Sequence, residues 1–377
     1  MQLGLSENLS ALVGRRFTAA KEGGHLIFSS TYLSIITAAG IPVCCQASPS
    51  YPELPNRHNT LSNMANIQYQ LRYCPALARK PSNLKPNASS DPDPPKPDPF
   101  ETPSPDLLLA SFPPQNPTHA LVLNKFPVIP NHFILATKSW KAQTDLLEPV
   151  DLDSTYACLR AWDTSSSGSN AGHTSPSLSS NRLFAFFNSG DDSGASQPHR
   201  HLQFLPVEAM HQPGTDSWAP LIDLVTAQPH NPSSFQSHPA LPFAHFALPL
   251  PLNPTPEALH EVYIKLYRAA VAASQGRDLL DSAALRTDGP AAISYNLAMT
   301  LSTMMIAPRR AETARVPVDV AAAGDVADPG VVSLNGTILA GTLMVKAEAE
   351  WDVLRAEPEI LGRMLRDVGL PGIGHKL

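Results

Sequence analysis

The sequence predicts an α+β fold, an antiparallel sheet flanked by helices and broken by long Pro- and Ser-rich loops. Three observations carry that expectation. Short apolar runs of strand length, two of them joined by the tight bend Pro127-Val128-Ile129-Pro130-Asn131, alternate with a few helical segments. The run around His199-Arg200-His201-Leu202-Gln203 sets polar and apolar residues at alternate positions, the period of a half-polar strand. Finally, 39 prolines among 377 residues, with several serine clusters, supply loops enough to stretch one compact unit to this length.

In chain order, Leu9, Leu12, Val13 and Phe17 recur at helical spacing behind Ser6 as N-cap, and HLIFSS follows as a strand. The apolar run from Tyr32 to Cys45 is too short to span a bilayer. Residues 43–69 show neither helical nor strand period and read as an insert, a translated intron or a lineage-specific addition, against the alternative of an ordinary surface loop. Lys80 to Pro117 reads as an extended loop. Leu121 to Phe126 and His132 to Thr137 form a strand pair, Asp151 to Trp162 a helix, and the Ser-rich segment from Asp163 a surface excursion. Leu183 to Phe187 is an apolar strand that runs into a loop, Asn188 to Pro198. Glu208 to Pro256 is a proline-rich meander whose histidines His211, His230, His238 and His245 could rim a pocket. Pro256 to Gln275 is a helix, Ala292 to Leu301, Met304 to Ala307 and Leu339 to Val345 are strands, and Ala347 to Val368 closes the chain as one amphipathic helix.

On a strand beginning at Leu202, His199, His201 and Gln203 share one face while Leu202 and Phe204 take the other. The loop before it offers Ser193, Gly194 and Ser196 with free backbone amides, the composition of an anion cradle. Imidazoles beside a phosphate cradle point to transfer through a covalent phosphohistidine-type adduct. The same spacing also suits a His-x-His metal pair, or histidines that only build the fold.

The segment from Phe184 to Val207 resembles the active-site segment of the histidine-triad (HIT) superfamily in its transferase variant, where His-x-His-x-Gln replaces three alternating histidines. RYCPALARKPS (Arg72 to Ser82), LNKFPVIPNHFILATKSWKAQTDLLEP (Leu123 to Pro149), ISYNLAMT (Ile293 to Thr300) followed by APRR, and AGTLMVK (Ala340 to Lys346) resemble, in order, the blocks of the fungal diadenosine tetraphosphate phosphorylases, also called ATP adenylyltransferases. The resemblance implies a HIT-like fold in which residues 1–207 form an N-terminal region with the His-x-His-x-Gln motif, 208–255 the meander, and 256–377 a C-terminal region packed on the same sheet.

It also implies an activity: attack of His201 on an adenosine 5′-phosphoryl group, release of ATP, and transfer of AMP to inorganic phosphate. His201, Gln203 and His199 would be the catalytic group, with His201 as nucleophile, its second nitrogen held by a backbone carbonyl, and Gln203 donating to a non-bridging oxygen. Lys80, Asn124, Lys125, Asn188, Ser193, Gly194, Ala195, Ser196, Gln197, Thr300, Met305 and Arg309 are the substrate-binding residues the resemblance suggests. The chain departs from the family after Thr300, where it lacks an aromatic residue that relatives carry. Three other readings stay open: a HIT-type hydrolase with water as acceptor, a galactose-1-phosphate uridylyltransferase-like enzyme, and a nucleotide-binding sensor without catalysis.

A net charge of −6 argues against a general nucleic-acid binder, yet is compatible with nucleotides met by local cations and amides. The partners the resemblance implies are Ap4A, ATP, ADP and phosphate. Magnesium would accompany the polyphosphate; no dedicated carboxylate cage or protein-bound metal is expected. Four cysteines without a C-x-x-C pair, and no signal-peptide pattern, point to a reducing compartment, cytoplasmic or nuclear.

Overall fold

A computed structural model describes residues 3–38, 67–79, 98–163, 182–215, 217–227, 234–277, 286–319 and 326–372. Helix α1 (Leu9–Glu22) opens the chain. Its N-cap is Asn8 instead of Ser6, because the Asn8 side chain accepts from the amide of Ser10. HLIFSS is not a strand; the first is β1 (Tyr32–Ala38), paired antiparallel with β2 (Ile67–Tyr73). Residues 39–66 lie outside the described part, so the proposed insert falls there except for its last three residues, which are the start of β2.

The central sheet follows. Strand β3 (Leu108–Phe112) lies inside what sequence reads as loop, β4 (His119–Leu123) and β5 (Phe133–Thr137) form the expected pair, and α2 (Pro149–Asp163) leads to β6 (Leu183–Ser189) and β7 (His201–Pro206). The meander holds two short helices, α3 (Val207–Met210) and α4 (Leu221–Thr226), and a strand, β8 (Phe246–Pro249). Helix α5 (Pro256–Gln275) is capped by the Thr255 hydroxyl and carries Pro256 at its first position, where a missing N–H is harmless. The hairpin β9 (Ser294–Met299) and β10 (Thr303–Arg309) completes an eight-stranded, wholly antiparallel sheet ordered β3-β4-β5-β7-β6-β9-β10-β8. β7 is therefore interior, flanked on both sides.

Two short strands, β11 (Thr313–Arg315) and β12 (Val331–Ser333), pair with each other. A 3₁₀ turn (Gly336–Ala340) replaces the first half of the expected strand, leaving β13 (Thr342–Val345) to join β2 in parallel. The closing helix is two: α6 (Glu348–Ala356) and α7 (Glu359–Val368), broken where Pro358 cannot donate to the helix ladder.

Alternation along β7 divides the sheet. Leu202 and Phe204 face a core built with α1, α2 and α5, where Phe204 stacks on Phe133 with ring centres 4.7 Å apart. Leu205 faces the other side with Phe184, Phe186, Ala298 and Met305, beneath α4, α7 and the β1-β2-β13 sheet. A third small cluster, Phe100, Val122, Ile134 and Ala136, covers one end of that face. No helix among the described residues is long and apolar enough to cross a membrane.

Candidate active site

On the helix side, β7 is anchored by Arg200, which points away from the histidines. Its guanidinium meets Asp151 at 2.8 Å and Glu148 at 3.0 Å, and Asp151 also bonds His119 at 2.9 Å. Burial alone would raise the Asp151 carboxyl, but His119 and the Arg200 charge hold it below its ordinary value. The central residue of the motif is thus a buried structural cation, and its neighbours are turned to the opposite face.

His201 lies on that face, 2 % exposed. Its Nδ1–H donates to the carbonyl oxygen of His199 at 2.8 Å, the acceptor that sequence could not name. The proton is thereby fixed on Nδ1 and the lone pair on Nε2, which meets no hydrogen-bond partner among the described residues. Burial pulls the pKa down to about 4, only partly opposed by the His199 carbonyl, so the ring is neutral near pH 7. A neutral imidazole with one free lone pair is equipped to be a nucleophile.

His199 is differently placed. Its Nδ1 bonds Asp98 at 2.6 Å and its Nε2 bonds the Thr137 hydroxyl at 2.9 Å, while the Phe100 ring stands edge-on at 5.8 Å. Both nitrogens are engaged, so the side chain fixes the carbonyl that orients His201. Phe100 also lies 5.1 Å from the His201 ring.

Gln203 faces the same way and pairs in register with Ile134 and Phe186. Its Oε1 accepts from His132 Nε2 at 3.0 Å, and His132 Nδ1 in turn accepts from Asn124 Nδ2 at 3.1 Å. Because an amide nitrogen can only donate, this chain fixes the His132 tautomer and turns the Gln203 NH₂ toward the open side. Sequence reading missed His132, although it opens β5 one strand away; its only signal was a histidine at a strand start facing the motif.

Asn188, at the end of β6, accepts through Oδ1 from Asn296 Nδ2 at 2.9 Å and from the Gly336 amide at 2.8 Å. Its Nδ2 is buried without a partner. An orphaned donor on the nucleophile's face is what a phosphoryl oxygen would satisfy. The loop after Asn188 turns through Gly190 and Gly194, both at positive φ; a Cβ on Gly194 would stand 2.6 Å from the Leu334 carbonyl. Ser193 turns inward, its hydroxyl donating to Gly190 O at 2.6 Å. The amides of Gly194, Ala195, Ser196 and Gln197 meet no partner among the described residues, leaving a row of free donors.

The remaining residues divide. Lys80 lies outside the described residues. Lys125 is exposed beside Asn124, its ammonium 5.7 Å over the Phe126 ring. Arg309 and Met305 are not at the surface of the site: Met305 is fully buried in the core, and Arg309 bonds Asn296 Oδ1 at 2.5 Å together with the carbonyls of Ala311, Leu334 and Val368. Arg309 is linked to the site through Asn296 to Asn188, and through the Leu334 carbonyl that packs on Gly194. Thr300 stands in the β9–β10 turn, four residues along β9 from Asn296, or ~13 Å at strand rise. It lines a small separate cavity with Phe184, Arg182 and Ser302. Of the meander histidines, His230 lies outside the described residues, His211 packs edge-on to Trp218 with ring centres 5.2 Å apart, and His238 and His245 form a buried pair, the His238 amide donating to His245 Nε2 at 2.9 Å. A cleft of about 650 Å³ between Tyr32, Tyr73 and Trp351 touches none of these groups. Among the described residues no three His, Cys, Asp or Glu side chains converge as a metal site.

Comparison with known proteins is consistent across sequence and structure. The family model of the Ap4A phosphorylase N-terminal domain matches residues 52–177 and 173–226, and that of the ATP adenylyltransferase C-terminal domain matches 239–371. Diadenosine 5',5'''-P1,P4-tetraphosphate phosphorylase 2 of Saccharomyces cerevisiae is 27% identical over 374 residues, covering 97% of this chain and 96% of its own. Protein APA1 of the same yeast is 28% identical over 313 residues, covering 81% and 84%. The crystal structure of yeast Ap4A phosphorylase Apa2 superposes with a TM-score of 0.69 at 23% identity, covering 98% of this chain and all of that one, and Apa2 has also been solved with Ap4A and with AMP.

Proposed function

The chain belongs to the family of Ap4A phosphorylases and ATP adenylyltransferases, and from that premise we propose that it cleaves diadenosine tetraphosphate with inorganic phosphate into ADP and ATP, through an AMP adduct on His201. The observation that carries the assignment of roles is the His201 ring itself: Nδ1 tied to the His199 carbonyl, Nε2 free, and the ring neutral.

In the first step the Nε2 lone pair forms a bond to the phosphorus of one adenosine 5′-phosphoryl group. The bond to the bridging oxygen breaks, and its electron pair leaves on ATP. Positive charge that develops on the ring is met by the His199 carbonyl, which keeps the Nδ1 proton. Gln203 NH₂ and Asn188 Nδ2 donate to the non-bridging oxygens as charge builds there. In the second step a phosphate oxygen attacks the adduct, the N–P bond returns its pair to Nε2, and ADP departs. The free amides from Gly194 to Gln197 hold the polyphosphate tail, and exposed Lys125, next to Asn124, adds a cation for it. Magnesium, where it accompanies that tail, would neutralise charge on it without a protein cage.

Product analysis tests this. Incubation with Ap4A should yield ADP and ATP only when phosphate is present. AMP plus ATP would make the protein a hydrolase, and no turnover would leave a nucleotide-binding sensor. Without phosphate, quenched protein should carry one AMP on His201 by mass spectrometry; an adduct on His199 would reverse the two roles.

A further inference from the structure

We propose that Gln143 is a positioning residue: it holds open the seam between β6 and β7 and so sets the nucleophile His201 against Asn188, the hydrogen-bond donor to the phosphoryl oxygen. The inference rests on the reading above, which it extends to a residue that touches no substrate.

β6 and β7 pair in ladder register from Leu183 with Pro206 to Phe186 with Gln203, and there the ladder stops. Continued by two residues, it would place Asn188 opposite His201. Instead the main-chain groups of both residues turn to one side chain. Gln143 Oε1 accepts from the His201 amide at 2.7 Å, and Nε2 donates to the carbonyls of Asn188 at 2.8 Å and His201 at 3.2 Å. A carboxamide supplies the donor and acceptor that the missing cross-strand bonds would have supplied. Gln143 is 3 % exposed and is itself fixed, since its amide donates to the Pro198 carbonyl at 2.8 Å while the Arg200 amide donates to Lys141 O at 2.8 Å.

The spacing has chemical consequence. Directly opposed residues of an unbroken antiparallel ladder have Cβ atoms about 4.5–5.5 Å apart, so the imidazole and the carboxamide would pack against each other. With the seam wedged, Nδ2 of Asn188, buried without a partner, and Nε2 of His201, which no described residue bonds, can stand on either side of one phosphoryl group. The wedge thus acts on geometry in the transition state, where an error of about 1 Å costs roughly 100-fold.

Two variants test it. Gln143→Leu keeps the volume and loses the three bonds; kcat with Ap4A and phosphate should fall about 100-fold while KM moves by less than about threefold. Gln143→Glu can reproduce one donor and one acceptor only as the neutral acid, because a carboxylate would face two carbonyl oxygens. Its activity should be near wild type at acid pH and fall as pH rises through the elevated pKa of the introduced group, with no such fall in wild type. A Leu variant with kcat within threefold of wild type overturns the proposal, as does a Glu variant impaired equally at every pH. Wild type inactive on Ap4A would instead defeat the parent reading.

Discussion

His132 donates its Nε2 proton to the side-chain oxygen of Gln203 at 3.0 Å, and by that one bond decides which end of the carboxamide the site receives. His132→Leu removes the donor and lets Gln203 turn its oxygen toward the phosphoryl group. Turnover should fall by about 100–1,000-fold, the range for losing one transition-state donor, with little change in stability. Steady-state kinetics beside a urea melt would separate these; an unchanged kcat would show that Gln203 is oriented by something else.

Gln203 also bears on which acceptor is used. A carboxamide has no titratable proton near neutrality and can hydrogen-bond only, so the adduct waits for an acceptor with its own negative oxygen. Gln203→His should raise the share of AMP relative to ADP at limiting phosphate. If chromatography finds that ratio unchanged, the choice lies with the amides of Gly194 to Gln197.

Acid should act on the nucleophile and on the fold together. The folded-state pKa of His201 and of His245 is lowered by burial to about 4 from 6.5, so protons bind the unfolded chain first. The stability these rings contribute is present above pH 6.5 and is lost as pH falls toward 4. Asp151, lowered below its ordinary 3.8, adds its own loss only beneath that value. Thermal melts between pH 7 and 4 should decline, and His201→Asn should flatten the slope; an equal slope in the variant would mean that His201 is not buried neutral in solution. Catalysis should stay flat from neutrality to about pH 5 where the protein remains folded.

Arg309 separates a structural from a binding role. Its guanidinium is committed to Asn296 and four main-chain carbonyls, so Arg309→Leu leaves buried acceptors unmatched at about 1–3 kcal/mol each. Equilibrium unfolding should show a loss of that order or more. A variant of normal stability but raised KM for Ap4A would return Arg309 to the substrate.

What could be read from sequence was what is local. The alternation of His201, Leu202, Gln203 and Phe204 gave the face of β7, and Thr255-Pro256 marked where α5 begins. Non-local partners carried no such signature: Asp98 meets His199 from 101 residues upstream, and Gln143 meets His201 from 58 residues away, and neither sits in a periodic pattern. Arg309 and Met305 come to the candidate site through resemblance alone, and their burial is not legible in the sequence. Weak elements are hidden where composition outweighs period, as with β3 inside a proline-rich stretch, and the amphipathic period of α6 and α7 runs on across the break at Pro358.

The pairing of β6 with β9 sets a limit on how this protein can be divided or rebuilt. The junction runs through Asn188 and Asn296, one from the part matched by the N-terminal family model and one from the part matched by the C-terminal model. Cut between them, each fragment would present a raw apolar strand edge, prone to stick to other chains. The N-terminal fragment would keep every residue of the His-x-His-x-Gln motif and still lack the partner that aims Asn188. Gene fusion or fragment exchange among relatives would therefore have to carry both asparagines as one inherited unit, although more than a hundred positions separate them along the chain.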